Sequence, residues 1–461
     1  MAGLYGTLSI ALSALSTSQQ ALETTTNNVA NANTPGYSRE VPVLEPGDPI
    51  VYGSLTLGSG VLLDKIQSVR DPILEIQLNQ ETQQQSYLNT QLAQLQQIQT
   101  GFSSSTSGIG ADITNFFNSI SQLSPDPTNL ALRQAVLTAA GNLATDFNTS
   151  ANNLNTQRSD LSQSVVEDVS QINTLTTQIA NVDQQISNLE NANQSAGTLV
   201  DQQTNLIRQL SALVDVQVIS TGNGGIAVTT SNGTALVTGS QSFALSTQVA
   251  SDGTEHVYSG TQDITGTITG GSLGGTLQIR DQQIPSILQQ LDQLAAGLSN
   301  AVNAANAQGY DLNGNAGGNI FSVPPAGGTG AAAAMQVAMT DPSLIAASSD
   351  GTAGSNGNLA NLSAVANQAV ANGANPIDDY SNLVFQIGST TSNTSADVDA
   401  SNQILQQLQD QRGSVSGVSL DEEAANMVQY QSAYQAAARV VTTVNSLLAD
   451  AVNLGIETAV Q

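Results

Sequence analysis

Residues 417–454 constrain the fold more than any other stretch. Met427, Tyr430, Tyr434, Ala437, Val441, Val444, Leu448 and Ala451 recur at steps of three and four. That is the a/d spacing of a helix that packs along its length on another helix. A second apolar line, Ala433, Val440, Leu447 and Leu454, runs beside it. A helix with so wide an apolar face is unstable alone in water, so a partner must come from elsewhere in the chain or from another copy.

The opposite end offers that partner. Within residues 3–31, Leu8, Leu15, Leu22 and Val29 fall seven apart, with Leu4, Ala11 and Leu12 beside them, and Glu23 is the one charged residue before Arg39. So few charges deny this helix the solvated outer face of a lone surface helix. It either packs on its own domain or pairs with the C-terminal helix and meets neighbouring copies, and the pattern favours the second. Leu4, Leu8, Leu15, Leu22, Val29, Met427, Tyr434, Val441 and Leu448 are the expected contact residues.

Composition narrows the partners. Thirty-six acids against nine bases leave a formal charge of −27, which argues against nucleic acid, because phosphate binding needs basic side chains. An anionic membrane surface is disfavoured for the same reason. No apolar run approaches the roughly 20 residues of a membrane span. Residues 1–20 lack the basic start and continuous apolar run of a cleavable secretory signal. Without cysteine there is neither a disulfide framework nor a thiolate site.

Between the ends, the pattern alternates. Asn31-Ala-Asn-Thr-Pro-Gly-Tyr-Ser-Arg39 stops the first helix at a turn. Prolines among Val41, Val43, Ile50 and Val51 suggest edge strands or an extended arm, and Gly58–Ile66 another strand. Asp71-Pro72 reads as a cap before a helix reaching about Thr100. Residues 128–192 carry the strongest internal heptads, from Leu161 to Leu189, and a further helix covers about 198–213. Period-2 alternation from Val214, with turns at Gly222–Gly225 and Ser231–Gly233, marks an all-β insertion over about 214–280. Ile284, Ile287, Leu291, Leu294 and Leu298 restore the helical period. Residues 309–375, rich in Gly, Ala and Asn, suggest a flexible linker or a loose hairpin region with a short strand near Met335–Met339, then a short helix over 357–371. A helix over 378–412 is expected to break at Arg412-Gly-Ser.

The expected fold is mainly α with a small all-β insertion, an α+β multidomain chain. Its terminal helices (1–45 and 415–461) pair as a coiled coil, a helical domain (46–213 and 281–414) lies between them, and the β domain (214–280) is inserted in that.

Both ends resemble the flagellar axial proteins. Ala30-Asn-Ala-Asn-Thr-Pro-Gly-Tyr-Ser-Arg39 after a heptad helix is similar to the signature shared by rod, hook and hook-associated subunits; Asn31, Thr34, Pro35, Gly36 and Tyr37 carry it. Gly417-Val-Ser-Leu-Asp-Glu-Glu-Ala-Ala425 and Tyr434-Gln-Ala-Ala-Ala-Arg439 resemble the end of the hook–filament junction family, with Asp421, Glu422, Glu423 and Arg439 as matching positions. Leu199–Ser211, Gly270–Gly275 and Gly309–Gly314 agree with it, although Asn306 stands where relatives often carry His. The resemblance implies a structural subunit exported without a cleavable signal and assembled at the distal end of the hook. It implies self-assembly in a ring or helical layer, and as further partners hook protein, the second junction protein, the flagellin side of the filament and an export chaperone. It also implies that residues 1–40 and 420–461 gain order on assembly. Another axial subunit of hook or rod type, or a surface adhesin, is the alternative.

An enzyme is disfavoured. His256 is the sole histidine and sits in a polar β-type run. Asp421-Glu422-Glu423 suits the positive end of a helix better than acid–base work. Asp311-Leu-Asn-Gly-Asn315 begins like a calcium loop, but Ala316 and Ser322 replace the required Gly and Glu, so a turn is expected. No cofactor or metal is expected.

Overall fold

The computed structural model describes residues 2–52, 55–102, 108–192, 194–222 and 225–457. The expected turn at Asn223-Gly224 and the last residues, 458–461, lie outside them. The chain is mainly helical with small antiparallel sheets, and divides into two compact units. One comprises Met1–Gln83, Gln171–Leu245 and Asn402–Gln461; the other Gln84–Ser170 and Ser246–Ser401.

The chain opens with α1 (Ala2–Asn31), then β1 (Glu40–Pro46), β2 (Ile50–Tyr52), β3 (Leu55–Leu57) and β4 (Val61–Ser68). Strand β1 pairs antiparallel with β4 from Glu40–Ser68 to Pro46–Val61, with a bulge after Val43, and β2 pairs with β3. Next come α2 (Pro72–Phe102), α3 (Ile109–Leu123), α4 (Leu130–Asn191) and α5 (Gly197–Leu213). Asp71 Oδ1 accepts the Ile73 and Leu74 N–H groups and caps α2, as Asp-Pro at a helix start requires. Strands β5 (Val216–Gly222), β6 (Gly225–Thr230), β7 (Ala235–Thr238) and β8 (Gln241–Ser242) form one sheet in sequence order. Strands β9 (Leu245–Val249), β10 (Glu255–Ser259) and β11 (Gln262–Asp263) form another. The remaining helices are α6 (Gly271–Gln278), α7 (Ile284–Ala307), α8 (Ala331–Ala334), α9 (Gly357–Ala364), α10 (Pro376–Ser416) and α11 (Leu420–Glu457).

In the first unit, α11 lies along α1, and α1 also touches β1 and β4. Its interior buries Ile172, Ile179, Val182 and Ile186 of α4, Leu206, Ile207 and Leu210 of α5, and Val228, Leu236 and Val237 of the sheet. The second unit has one continuous apolar cluster. Phe116, Ile120 and Leu123 of α3, Val136, Leu143 and Phe147 of α4, and Leu291, Leu294, Leu298 and Val302 of α7 are buried in it.

Four expectations need correction. The strands stop at Asp263, and Gly271–Gln278 is helical rather than β. Its glycines let α6 press against α2: a Cβ on Gly275 would lie 2.7 Å from the Tyr87 carbonyl oxygen. Helix α3 occupies a stretch for which no helix was expected. Helix α10 does not break at Arg412 but runs to Ser416.

The Gly/Ala-rich segment is no linker. Ile320, Phe321, Met335, Met339 and Ile345 are buried in the second unit's core, and Phe321 bridges Val337 antiparallel. Buried polar side chains of α7 hold its main chain. Asn303 Oδ1 accepts from the Ile320 and Phe321 amides, and Asn303 Nδ2 donates to the Phe321 carbonyl. Asn306 does the same for Ala346 and Gly318, and Asp292 accepts from Gly330 and Ala332.

Candidate assembly site at the signature turn

The signature residues form a rigid corner. The Tyr37 N–H donates to the Thr34 carbonyl at 3.1 Å, with Pro35 and Gly36 between them and Gly36 at φ 84°. That is a type II turn, in which proline presets the first central residue and glycine supplies the left-handed second. Asn31 closes it from α1: its N–H groups reach Asn27, and its Oδ1 accepts from Thr34 Oγ1. Thr34 and Pro35 remain exposed, whereas Tyr37, Ser38 and Glu40 are buried.

The buried half is satisfied by Asn28. Its Oδ1 accepts from Tyr37 Oη and from the Glu40 N–H, both at 2.9 Å, and its Nδ2 donates to the Glu40 carbonyl at 2.8 Å. One α1 side chain thus fixes where β1 begins. Burial, reinforced by Glu40, Asp201 and Glu423, pushes the Tyr37 hydroxyl pKa far above its ordinary value, so it stays a hydrogen-bond donor. Burial likewise raises Glu40 and Asp201, against the pull of an Asn27 hydrogen bond and of Arg70 respectively.

Four of the nine basic residues converge here. Arg39 reaches Glu422 at 2.6 Å and Glu423 at 3.8 Å. Arg70 pairs with Asp201 at 2.8 Å, and Asp201 also accepts the Ser38 N–H. Glu75 receives Arg412 on one oxygen at 2.6 Å and Arg208 on the other at 2.9 Å. Arg412 also donates to the Gly36 carbonyl at 2.8 Å. The group carries no nucleophile–base pair, and no cluster of metal-ligating side chains occurs among the described residues. Its geometry suits holding, not chemistry.

From this corner α1 and α11 extend together. On α11, Met427, Tyr434, Val441 and Leu448 are half-buried around the buried Ala437 and Val444. On α1 the buried line is Ala11, Ser18, Ala21, Thr25 and Asn28, with Leu4, Leu8, Leu15 and Leu22 half-buried at its flanks. Val29 does not join that buried line and is 38% exposed. Tyr5, Leu12, Val440 and Leu447 also face outward, as does Arg439, which makes no ion pair among the described residues.

Comparison with known proteins finds flagellar relatives at both ends and in the middle of the chain. The description of the flagellar hook-associated protein FlgK helical domain matches residues 95–321. A flagella basal body rod protein description matches residues 8–37, and the C-terminal description of the basal body rod FlgEFG proteins matches residues 409–454. Flagellar hook-associated protein 1 of Escherichia coli K12 is 27% identical over 96% of this chain and 98% of its own. The protein of that name from Bacillus subtilis is 28% identical over 98% and 99%. The chain is similar to the flagellar hook-associated proteins along nearly its whole length. A flagellar hook junction protein FlgK from Burkholderia pseudomallei shares the fold, with a TM-score of 0.67 at 20% identity over 74% of this chain and all of that one.

Sequence reasoning about this chain missed the convergence of arginines. It placed Asp421, Glu422 and Glu423 at the start of a helix, which is where they lie, but not the reach of Glu422 and Glu423 to Arg39. The scarcity of bases was a usable signal: in so acidic a chain each arginine is a scarce counter-charge. The other chemical candidates are accounted for. Asp311 Oδ1 accepts the Asn313 and Asn315 amides in a turn. His256 pairs with Asp263 at 2.7 Å on an exposed hairpin.

Proposed function

We propose that this chain is a structural subunit of the bacterial flagellum that forms the junction between hook and filament and permits filament assembly. Its place is outside the cell, on the flagellum, and it has no catalytic role. The observation that carries the reading is the match of flagellar descriptions at both ends and in the middle, in chain order. The exposed apolar residues of the terminal pair support it: Leu12, Val440 and Leu447 face outward in a chain carrying −27, and surface of that kind suits subunit contact.

In this reading α1 and α11 pair as a coiled coil and pack against neighbouring copies through Leu4, Leu8, Leu15, Leu22, Val29, Met427, Tyr434, Val441 and Leu448. The domain division is a terminal coiled-coil part, a helical part and an inserted β part. Hook protein lies on one side; the second junction protein and flagellin lie on the other. An export chaperone docks on the C-terminal helix before assembly. The test is a cell whose copy ends at Ser419. Its hooks should form normally and carry no filaments, as seen by electron microscopy. Normal filaments on those hooks would refute the junction role.

A further inference from the structure

The terminal pair is joined to the rest of its unit by two chain crossings: the signature turn after α1, and residues 417–419 between α10 and α11. They meet directly, because the Arg39 N–H donates to the Ser416 carbonyl at 2.9 Å. Each crossing also carries an arginine that grips the other. Arg39, just past the turn, reaches forward to Glu422 and Glu423 in the first turn of α11. Arg412, just before the α10–α11 link, reaches back to the Gly36 carbonyl inside the turn and to Glu75 of α2.

A second tier fixes the grip. Glu75 is shared with Arg208 of α5, and Asp201 of α5 holds both Arg70 and the Ser38 amide. The two tiers differ in exposure. Arg412 and Glu75 are each 15% exposed, whereas Glu422 is 53% exposed. Exposed pairs are strongly screened by salt and half-buried pairs much less so.

The contact between α1 and α11 is of another kind. From Gly3 to Asn31 and from Ala424 to Val452 the charged residues are Glu23, Arg439 and Asp450, all exposed. The buried side chains along the pair are mostly alanine, serine and threonine, with Asn28 and Val444, and their packing is insensitive to charge. The grip on α2 and α5 is ionic; the pairing of α1 with α11 is not.

We propose that Arg39 and Arg412 form a reciprocal ionic clasp that fastens the α1–α11 pair to α2 and α5, and that this clasp opens on loss of charge independently of the contact between α1 and α11. It is a corner lock. When closed it fastens the corner to α2 and α5, and when open the pair is held there only by its two crossings and by the contact of α1 with β1 and β4. The clasp is made of this chain's own contacts, so it stands or falls apart from the junction role.

Amide exchange of the full-length chain, followed by mass spectrometry, tests it. In Arg412→Gln at 50 mM NaCl, peptides covering residues 36–39 and 413–419 should exchange at least tenfold faster than in the parent. Arg39→Gln should have a smaller effect, because its closest partner is exposed. In the parent chain, 1 M NaCl should speed the same peptides two- to fivefold. Peptides of α5 and β6 should not change in any arm. Unchanged crossing peptides in Arg412→Gln and in high salt would overturn the clasp. So would equal acceleration of α5 and β6, which would make Arg412 a general support of the unit. If Arg412→Gln does not fold, the salt arm on the parent chain decides.

Discussion

At the residue scale, buried charge in this chain is met in two ways. Arg133, 1% exposed, makes no ion pair among the described residues, although Asp311 lies near enough to favour its charge. Its guanidinium donates instead to the carbonyls of Pro127 and Ile345, each at 2.6 Å, and so ties the start of α4 to the loop after α8. Asp168 of α4 is the opposite case. Burial pushes its carboxyl up to about 6, and Ser272 offers only a hydrogen bond of 3.3 Å. A carboxyl whose pKa is raised by folding binds protons more tightly folded than unfolded. Its ionisation therefore costs stability as pH climbs from about 4 to 6, and the whole cost is present above that. Asp168→Asn keeps the shape and the acceptor without the charge. It should raise stability by about 1–2 kcal/mol at pH 7.5, and by roughly half as much at pH 5. Urea midpoints at the two pH values check this; no gain at pH 7.5 would contradict it.

At the element scale, the terminal pair shows what a heptad pattern reveals and what it hides. The spacing on α11 was legible: its a/d residues are the ones turned inward, from Met427 to Leu448. On α1 the leucines drew attention, but the buried line is made of small residues, with Ala21 wholly enclosed. Small residues bring helix axes close, and the leucines then sit at the flanks of the contact, partly open to water. Hydrophobicity counts read side-chain size, not the distance between helices, so the seam was misjudged. Two substitutions separate the roles. Ala21→Leu overfills the seam and should cost about 1–3 kcal/mol, seen as lost helical circular dichroism on mild heating. Leu12→Ser, at a half-exposed position, should change stability by less than about 0.5 kcal/mol yet reduce binding of the labelled chain to isolated hooks. Equal effects of the two on stability would refute this division. The segment after α7 was hidden for a related reason. Its apolar residues are too sparse to show a period, and its conformation is set by Asn303, Asn306 and Asp292, whose polar side chains sequence patterns assign to the surface.

At the scale of the whole molecule, the two kinds of packing imply different resistance to opening. The second unit encloses large apolar side chains on all sides, including Phe116, Phe147 and Phe321 at 0% exposure. Each contributes roughly 1.5–3 kcal/mol on burial, against a backbone cost of about 1–2 kcal/mol per ordered residue. Along α1 and α11 the buried side chains are mostly alanine, serine and threonine, which return far less for the same backbone cost. The leucines that would return more are not fully covered. This pair is therefore near balance in a single copy, and neighbouring copies covering Leu12, Val440 and Leu447 would shift it toward order. The structure also sharpens where that behaviour should stop. Tyr37, Ser38 and Glu40 are buried, and the Ser38 amide is held by Asp201 of α5, so the labile segment should end at the signature turn, not beyond it. In a dilute chain, amides within α1 and α11 should exchange at least a hundredfold faster than those of α4 between Val136 and Phe147. In hooks capped with the chain they should slow to comparable rates. Protection of α1 and α11 equal to that of α4 in the dilute chain would show that the pair is a static core and needs no neighbour to hold it.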